Sequence, residues 1–202
     1  MAKRFASFSF CLLITSLEGA QNLVPNPSFE VFTECPKETG KRQSVVKNWY
    51  SPTSIPLDYF NRCSKNCGVP LNVMGNQDSK TGDGYIGLTL YNKSYRSYEQ
   101  TELKQPLIAG NTYTVEFSVN LSEKSKSAIG NIGAYFTLQK LESKVSDVIE
   151  VYESVDNKGA VKQISGLCRP QVKNKTSAFV STINDWVTIT GSFKAKGDEK
   201  FM

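Results

Sequence analysis

Histidine is absent from all 202 residues. That removes the commonest general base, the Ser–His and Cys–His nucleophile pairs, and the imidazole metal ligand. Carboxylate chemistry survives the exclusion, but nothing in the chain selects it. Glycoside hydrolysis needs two carboxylates at a defined separation, and no feature singles out a pair among Asp58, Glu99, Glu102 and Glu116. The glycine-rich "GNIGAYF" lacks the Gly-Lys-hydroxyl ending that cradles phosphates. Basic blocks are missing too. The net charge is +5, but lysines and arginines are scattered among acids, so no nucleic-acid partner is expected. Helical periodicity is scarce, and the one long apolar run, Phe5 to Leu17, is too short to span a bilayer comfortably. The chain reads as a non-enzyme.

With 39% hydrophobic and 21% charged residues the chain has the make-up of a soluble globular domain. Lys3 and Arg4 precede the apolar run, and Ala20 is a suitable residue before a cleavage site, although Glu18 stands where a small residue is usual. Residues 1–20 are therefore read as a signal peptide and residues 21–202 as one domain, with no transmembrane segment after cleavage. Export places Cys35, Cys63, Cys67 and Cys168 in an oxidising compartment, where an even count implies two disulfides with three connectivities open. Cys63 and Cys67 are near enough in "CSKNC" to close a small loop. A four-cysteine zinc site is the rival, disfavoured by that spacing.

Strict alternation marks "TYTVEFSVNL", where Tyr113, Val115, Phe117, Val119 and Leu121 share one face and Thr112, Thr114, Glu116, Ser118 and Asn120 the other. That pattern predicts a strand with one buried and one wet face. "GNIGAYFTLQ", "WVTITGSF" and "GYIGLTLY" are further strands, with "SYEQTEL" and "VIEVYES" as shorter ones. One helical turn is expected in "SEKSKSAIG". Glycine-bearing turns at 81–84, 108–111, 156–159 and 194–198 separate the strands. Many short strands so punctuated predict an all-β fold, an antiparallel β-sandwich or jelly roll. Residues 36–84 are loop-rich, the usual setting for binding. "WVTITGSFKAKGDEKFM" stops where another strand is expected to begin, so the domain is read as lacking its last strand. Asn92, Asn120 and Asn174 sit in N-glycosylation sequons, a pattern common by chance.

"NLVPNPSFE" resembles the opening strand of carbohydrate-binding modules with the galactose-binding-like jelly-roll fold, which begin N-L-x-x-N-G-S-F-E; Pro27 stands in place of the glycine. Together with "VKNWYSPTSIPLDYFNRC", "GYIGL", "YRSYEQTELKQPLIAGNTYTVEFSV", "SAIGNIGAYF" and "WVTITGSFKAKGDEKF", it resembles a domain at the N-terminus of secreted and outer-membrane-associated bacterial proteins, some of which continue into an OmpA-like domain. The resemblance implies Phe29 as a core anchor and a structural calcium near the first strand. Glu30 matches the usual glutamate ligand, and Asp83 lies in a turn expected at the same end. It also implies a glycan or cell-envelope component as partner, and a secreted or outer-membrane-associated location. Sugar binding needs an aromatic platform with polar side chains around it. The aromatic candidates are Trp49, Tyr50, Tyr59, Tyr95 and Tyr98, and the polar ones Asp58, Asn61, Gln77, Arg96 and Gln100. Tyr59, Arg96 and Tyr98 are the preferred choices, whereas Trp49 and Trp186 are expected to favour packing. The expected function is a non-catalytic, exported glycan-binding module. The alternative is an adhesive envelope domain binding protein or peptidoglycan, and a glycoside hydrolase is disfavoured.

Overall fold

A computed structural model describes residues 21–40, 45–90, 96–130, 132–144, 150–155, 161–167, 169–174 and 179–202. The proposed signal peptide, Tyr95, Cys168, the Asn92 sequon and the 156–159 turn fall outside that set. The described residues hold strands and turns and no helix. The strands are β1 (Trp49–Tyr50), β2 (Asp58–Asn61), β3 (Leu71–Asn72), β4 (Gly75–Asn76), β5 (Gly84–Gly87) and β6 (Gln100–Thr101). They continue with β7 (Thr112–Val119), β8 (Gly133–Ala134), β9 (Glu150–Val155), β10 (Val161–Leu167), β11 (Val172–Lys173) and β12 (Val187–Lys194). Every pairing is antiparallel: β1 with β6, β2 with β5, β3 with β4, β7 with β12, β8 with β11 and β9 with β10. The helical turn expected in residues 122–130 is absent. The Ser122 hydroxyl accepts the Lys124 amide and holds the chain in a turn instead.

The long alternating strands form as the sequence pattern predicts. β7 and β12 pair over their full length, from Val187 opposite Val119 to Lys194 opposite Thr112. Their outer face is hydroxyl-rich, with Thr114 bonded to Ser192 and Ser118 to Thr188. On the inner face Tyr113, Val115, Phe117 and Phe193 pack against a buried cluster of Leu103, Leu107, Ala134, Phe136 and Ala195. Full burial is worth about 1.5–3 kcal/mol per large apolar side chain, and the half-buried strand residues gain a part of it.

Residues 199–202 form part of the layer beneath. They run between the segment Thr101–Leu103 and Thr137, exchanging backbone bonds with both: Met202 with Thr101, and Phe201 with Thr137. β1, β6, residues 199–202, the strand through β8 and β11 thus follow one another as neighbours. Gln171 extends the last pairing, because its side-chain amide bonds both the N–H and the C=O of Phe136 as a backbone would. Glu199 is buried, with its two oxygens accepting the Lys196 and Gly197 amides at 2.8 Å each. It closes the turn that delivers the last residues into place. Two layers facing each other across an apolar cluster are consistent with a β-sandwich.

The opening motif corrects one expectation. Residues 21–30 make bends and a turn, with no strand. Pro25 and Pro27 have no N–H to give a ladder. Asn26 and Phe29 take φ of 45° and 64°, the left-handed region. The Asn26 side chain supplies the missing order: it accepts the Val31 amide and donates to the Val31 and Lys47 carbonyls. Its backbone carbonyl accepts both the Phe29 amide and the Trp49 indole N–H. Phe29 still packs as an anchor, its ring 5.1 Å from that of Trp49, in a cluster with Val46, Leu57 and Tyr59.

Of the connectivities left open by the sequence, Cys35 bonds Cys63, with their Cα atoms 5.9 Å apart. The small Cys63–Cys67 loop does not form. Cys67 is a buried thiol packed with Phe60 and Val69, and burial pushes its pKa up. A tight turn directs it inward, the Asn61 amide donating to the Cys67 carbonyl and the Cys67 amide to Ser64 Oγ. Ser64 in turn donates to the Pro36 carbonyl, which lays the Cys35 segment beside Cys63.

Candidate functional site

β2 lies between two apolar clusters, so both of its faces are covered. Tyr59 points into one with Trp49, and Phe60, at 0% exposure, into the other. This placement governs the sequence-nominated binding residues. Trp49, Tyr59, Asn61 and Gln100 are all buried. The Tyr59 hydroxyl donates to the Phe29 carbonyl and accepts from Asn61 Nδ2, each at 2.8 Å. Burial pushes its phenol up to about 12. Gln100 is spent on Leu141, donating to its carbonyl and accepting its amide. Asp58 accepts the Gly40 amide, and burial raises its carboxyl pKa. Gln77 donates to the Asp78 carbonyl, and Arg96 and Tyr98 are half-buried on the segment entering β6. Trp49 and Tyr59 therefore serve the core and present no stacking face. Trp186 is half-buried, edge-on to Tyr85 with ring centroids 5.6 Å apart.

Glu30 and Asp83 do come close together, through a turn. Glu30 Oε1 accepts the Asp83 amide at 3.0 Å and the Gly84 amide at 3.2 Å. Gly82, at φ +62°, leaves the space that the carboxylate fills. Asp83 meanwhile faces Arg62 at 3.4 Å, and Arg62 also pairs with Asp78 at 2.7 Å. In this arrangement the Glu30 carboxylate is directed at backbone amides and that of Asp83 at a guanidinium. Among the described residues no group of three or more His, Cys, Asp or Glu is arranged to hold a metal ion.

The surface best furnished for recognition surrounds Tyr50. Neighbouring residues of a strand point to opposite faces, so with Trp49 buried in β1, Tyr50 turns outward and stays half-exposed. β1 pairs with β6, Tyr50 opposite Gln100, and the Gln100–Leu141 bonds bring the loop 139–143 alongside. The Ser143 amide fixes that loop to the Pro52 carbonyl at 2.7 Å. Lys140 then sits over the Tyr50 ring, its ammonium 4.6 Å from the centroid, and pairs with Glu142 at 2.7 Å. The contact has cation–π geometry. The lysine, by hydrogen bond and charge, lowers the Glu142 carboxyl pKa. Burial, with the charges of Glu102 and Glu142, pushes the Tyr50 phenol up to about 12. Glu102 itself pairs with Lys200 at 2.7 Å.

Beside the ring is an open depression of about 90 Å³ lined by Tyr50, Ser51 and residues 53–57. Ser51 and Thr53 hydroxyls bond one another at 3.2 Å and brace the loop by accepting the Thr53 and Ile55 amides. Enclosed small-molecule pockets run to roughly 300–1,000 Å³, so this hollow suits the edge of a larger ligand. Tyr50 is among the aromatic candidates named from the sequence, though not one of the preferred three. Lys140 and Glu142 are not among the candidates, because they arrive from far along the chain.

No family model, curated protein or solved structure matches the chain. Among the described residues no helix is long and apolar enough to cross a membrane.

Proposed function

We propose that the chain is an exported, non-catalytic glycan-binding module of galactose-binding-like jelly-roll type, and that Tyr50 is its platform. The observation that supports this is the half-exposed Tyr50 ring with Glu102, Glu142 and Lys140 about it and a hydroxyl-lined hollow at its side. An aromatic face takes the C–H side of a pyranose, and carboxylates and ammonium take its hydroxyls. A sugar stacking on the ring displaces the Lys140 ammonium from it while Lys140 keeps Glu142 as partner. The complete lack of histidine agrees with a binding role.

The test is retention on insoluble polysaccharides, peptidoglycan among them, together with a glycan array. Tyr50→Ala is expected to lower affinity about tenfold or more, in line with the loss of one aromatic hot spot, and to leave the melting temperature within a few degrees. Undiminished binding by that variant sinks the site. Failure of the unaltered chain to bind any glycan sinks the function.

A further inference from the structure

Among the described residues β7 is paired along its whole length on one side only. Its second edge makes no backbone hydrogen bond with any described residue. Sheet edges are usually guarded by proline, bulges, inward charges or short length. This one spans eight residues, "TYTVEFSV", in unbroken register with β12, and its single charge, Glu116, lies on the outer face. The flanks of the two-stranded unit differ as well. On the β12 side Val172 of β11 sits against Gly191 and Ile189 is buried. On the β7 side Tyr113, Val115 and Phe117 remain half-buried.

The edge is complementary to itself. Residues directly opposite in an antiparallel pair lie on the same face, so two β7 strands can centre on Val115 or on Glu116 with nearly full overlap. Centring on Glu116 sets two carboxylates against each other, which is unfavourable. Centring on Val115 sets Tyr113 opposite Phe117 of the second copy, Thr112 opposite Ser118, and Thr114 opposite Glu116. Aromatic faces aromatic on the core side, and hydroxyl or carboxylate faces hydroxyl on the wet side.

We propose that β7 is the interface of a two-fold homodimer in which two copies pair antiparallel through Val115. The result is one continuous four-stranded sheet, with β12 outermost on each side. The contact is isologous and closes on itself, so it stops at the dimer. One strand a side is well short of the roughly 20–30 residues a side of a standard interface. The dimer is accordingly weak and concentration-dependent.

Sedimentation of the purified chain from about 5 µM to about 500 µM tests this, since weak interfaces of this size associate only at such concentrations. A reversible monomer–dimer equilibrium is expected. Thr114→Glu places like charges opposite each other twice per dimer and should weaken it about tenfold, whereas Thr114→Lys creates two opposite-charge pairs and should tighten it by a similar factor. The double variant Thr114→Glu, Glu116→Lys restores opposite charges and should dimerise at least as well as the unaltered chain. Thr114 is exposed, and among the described residues its side chain bonds the Ser192 hydroxyl, at 3.0 Å, so these changes leave the core alone, and circular dichroism confirms folding. Amide exchange in β7 should also slow as concentration rises. A chain monomeric throughout the range overturns the proposal. So do glutamate and lysine variants that shift the equilibrium in the same direction, or not at all.

Discussion

Replacing Glu30 with alanine separates two roles for the most motif-like carboxylate in the chain. Its Oε1 accepts the Asp83 amide at 3.0 Å and the Gly84 amide at 3.2 Å, and so ties the end of the opening turn to the entry of β5. Hydrogen bonds to a charged acceptor contribute about 1.5–3 kcal/mol each when buried. Here the Asp83 amide is solvent-exposed and the Gly84 amide half-buried, so water replaces part of what is lost. A total of about 2 kcal/mol follows for the pair. For a domain of this size that lowers the melting temperature by about 4–8 °C. Glu30→Gln keeps one neutral acceptor for the same amides and should lose about half as much. Because Asp83 is turned to Arg62 and Glu30 to backbone, a chelator is expected to leave the melting temperature of the unaltered chain unchanged. Thermal melts of the three proteins, each with calcium and with EDTA, make the comparison. Two results would refute the reasoning: an alanine variant as stable as the parent, or a calcium-dependent rise in melting temperature that the parent shows and the variant lacks.

Two further perturbations probe the interior. Burial pushes Glu99 up from 4.5 to about 7, and its Oε2 has no hydrogen-bond partner among the described residues. The folded state therefore holds a proton there that the unfolded chain has lost, so stability from this group is full below about pH 4.5 and fades as pH rises through about 7, by about 3 kcal/mol in all. Urea unfolding at pH 5 and pH 8 should show that loss in the parent and a flatter profile in Glu99→Gln; equal slopes would contradict it. Deleting residues 199–202 removes the backbone bonds to Thr101, Leu103, Leu107 and Thr137, the cap supplied by Glu199, and Met202, which packs against both large clusters. At about 1 kcal/mol per bond the loss is comparable with a domain's whole net stability of about 5–15 kcal/mol. Cooperative melting should disappear, and a truncated chain that melts sharply within a few degrees of the parent would show that these residues are dispensable.

How far the sequence could be read depended on whether one face of a segment stays wet. In β7 and β12 one face is solvated and the other packs, so a period of two is written into "TYTVEFSV" and "WVTITGSF", and both strands lie where that pattern puts them. The all-β, antiparallel class was legible for the same reason. "NLVPNPSFE" misled because the same letters serve a different local geometry: Pro25 and Pro27 withhold donors, and Asn26, at positive φ, organises a turn through its side chain. What carried over was the apolar residue, since Phe29 reaches the core whichever backbone presents it. The disulfide was undetermined because proximity in sequence says nothing of direction, and Cys67 points into the core while Cys63 faces the Cys35 segment.

The same physics explains which of the aromatic candidates are exposed. The sequence sets Trp49 aside for packing, but exposure of the other rings in "NWYSPTSIPLDYFN" depends on parity within a strand and on what covers each face. In β1, Trp49 and Tyr50 are adjacent and therefore opposed, and since Trp49 is held inward by the Asn26 carbonyl and the Phe29 ring, Tyr50 has to face out. In β2 that logic gives no free ring, because Tyr59 and Phe60 are opposed but both faces are packed. The charges that make Tyr50 more than an exposed ring come from loop 139–143 and from Glu102, delivered by pairings across β1 and β6. A short window can nominate an aromatic residue, but only the long-range ladder decides whether polar groups stand beside it.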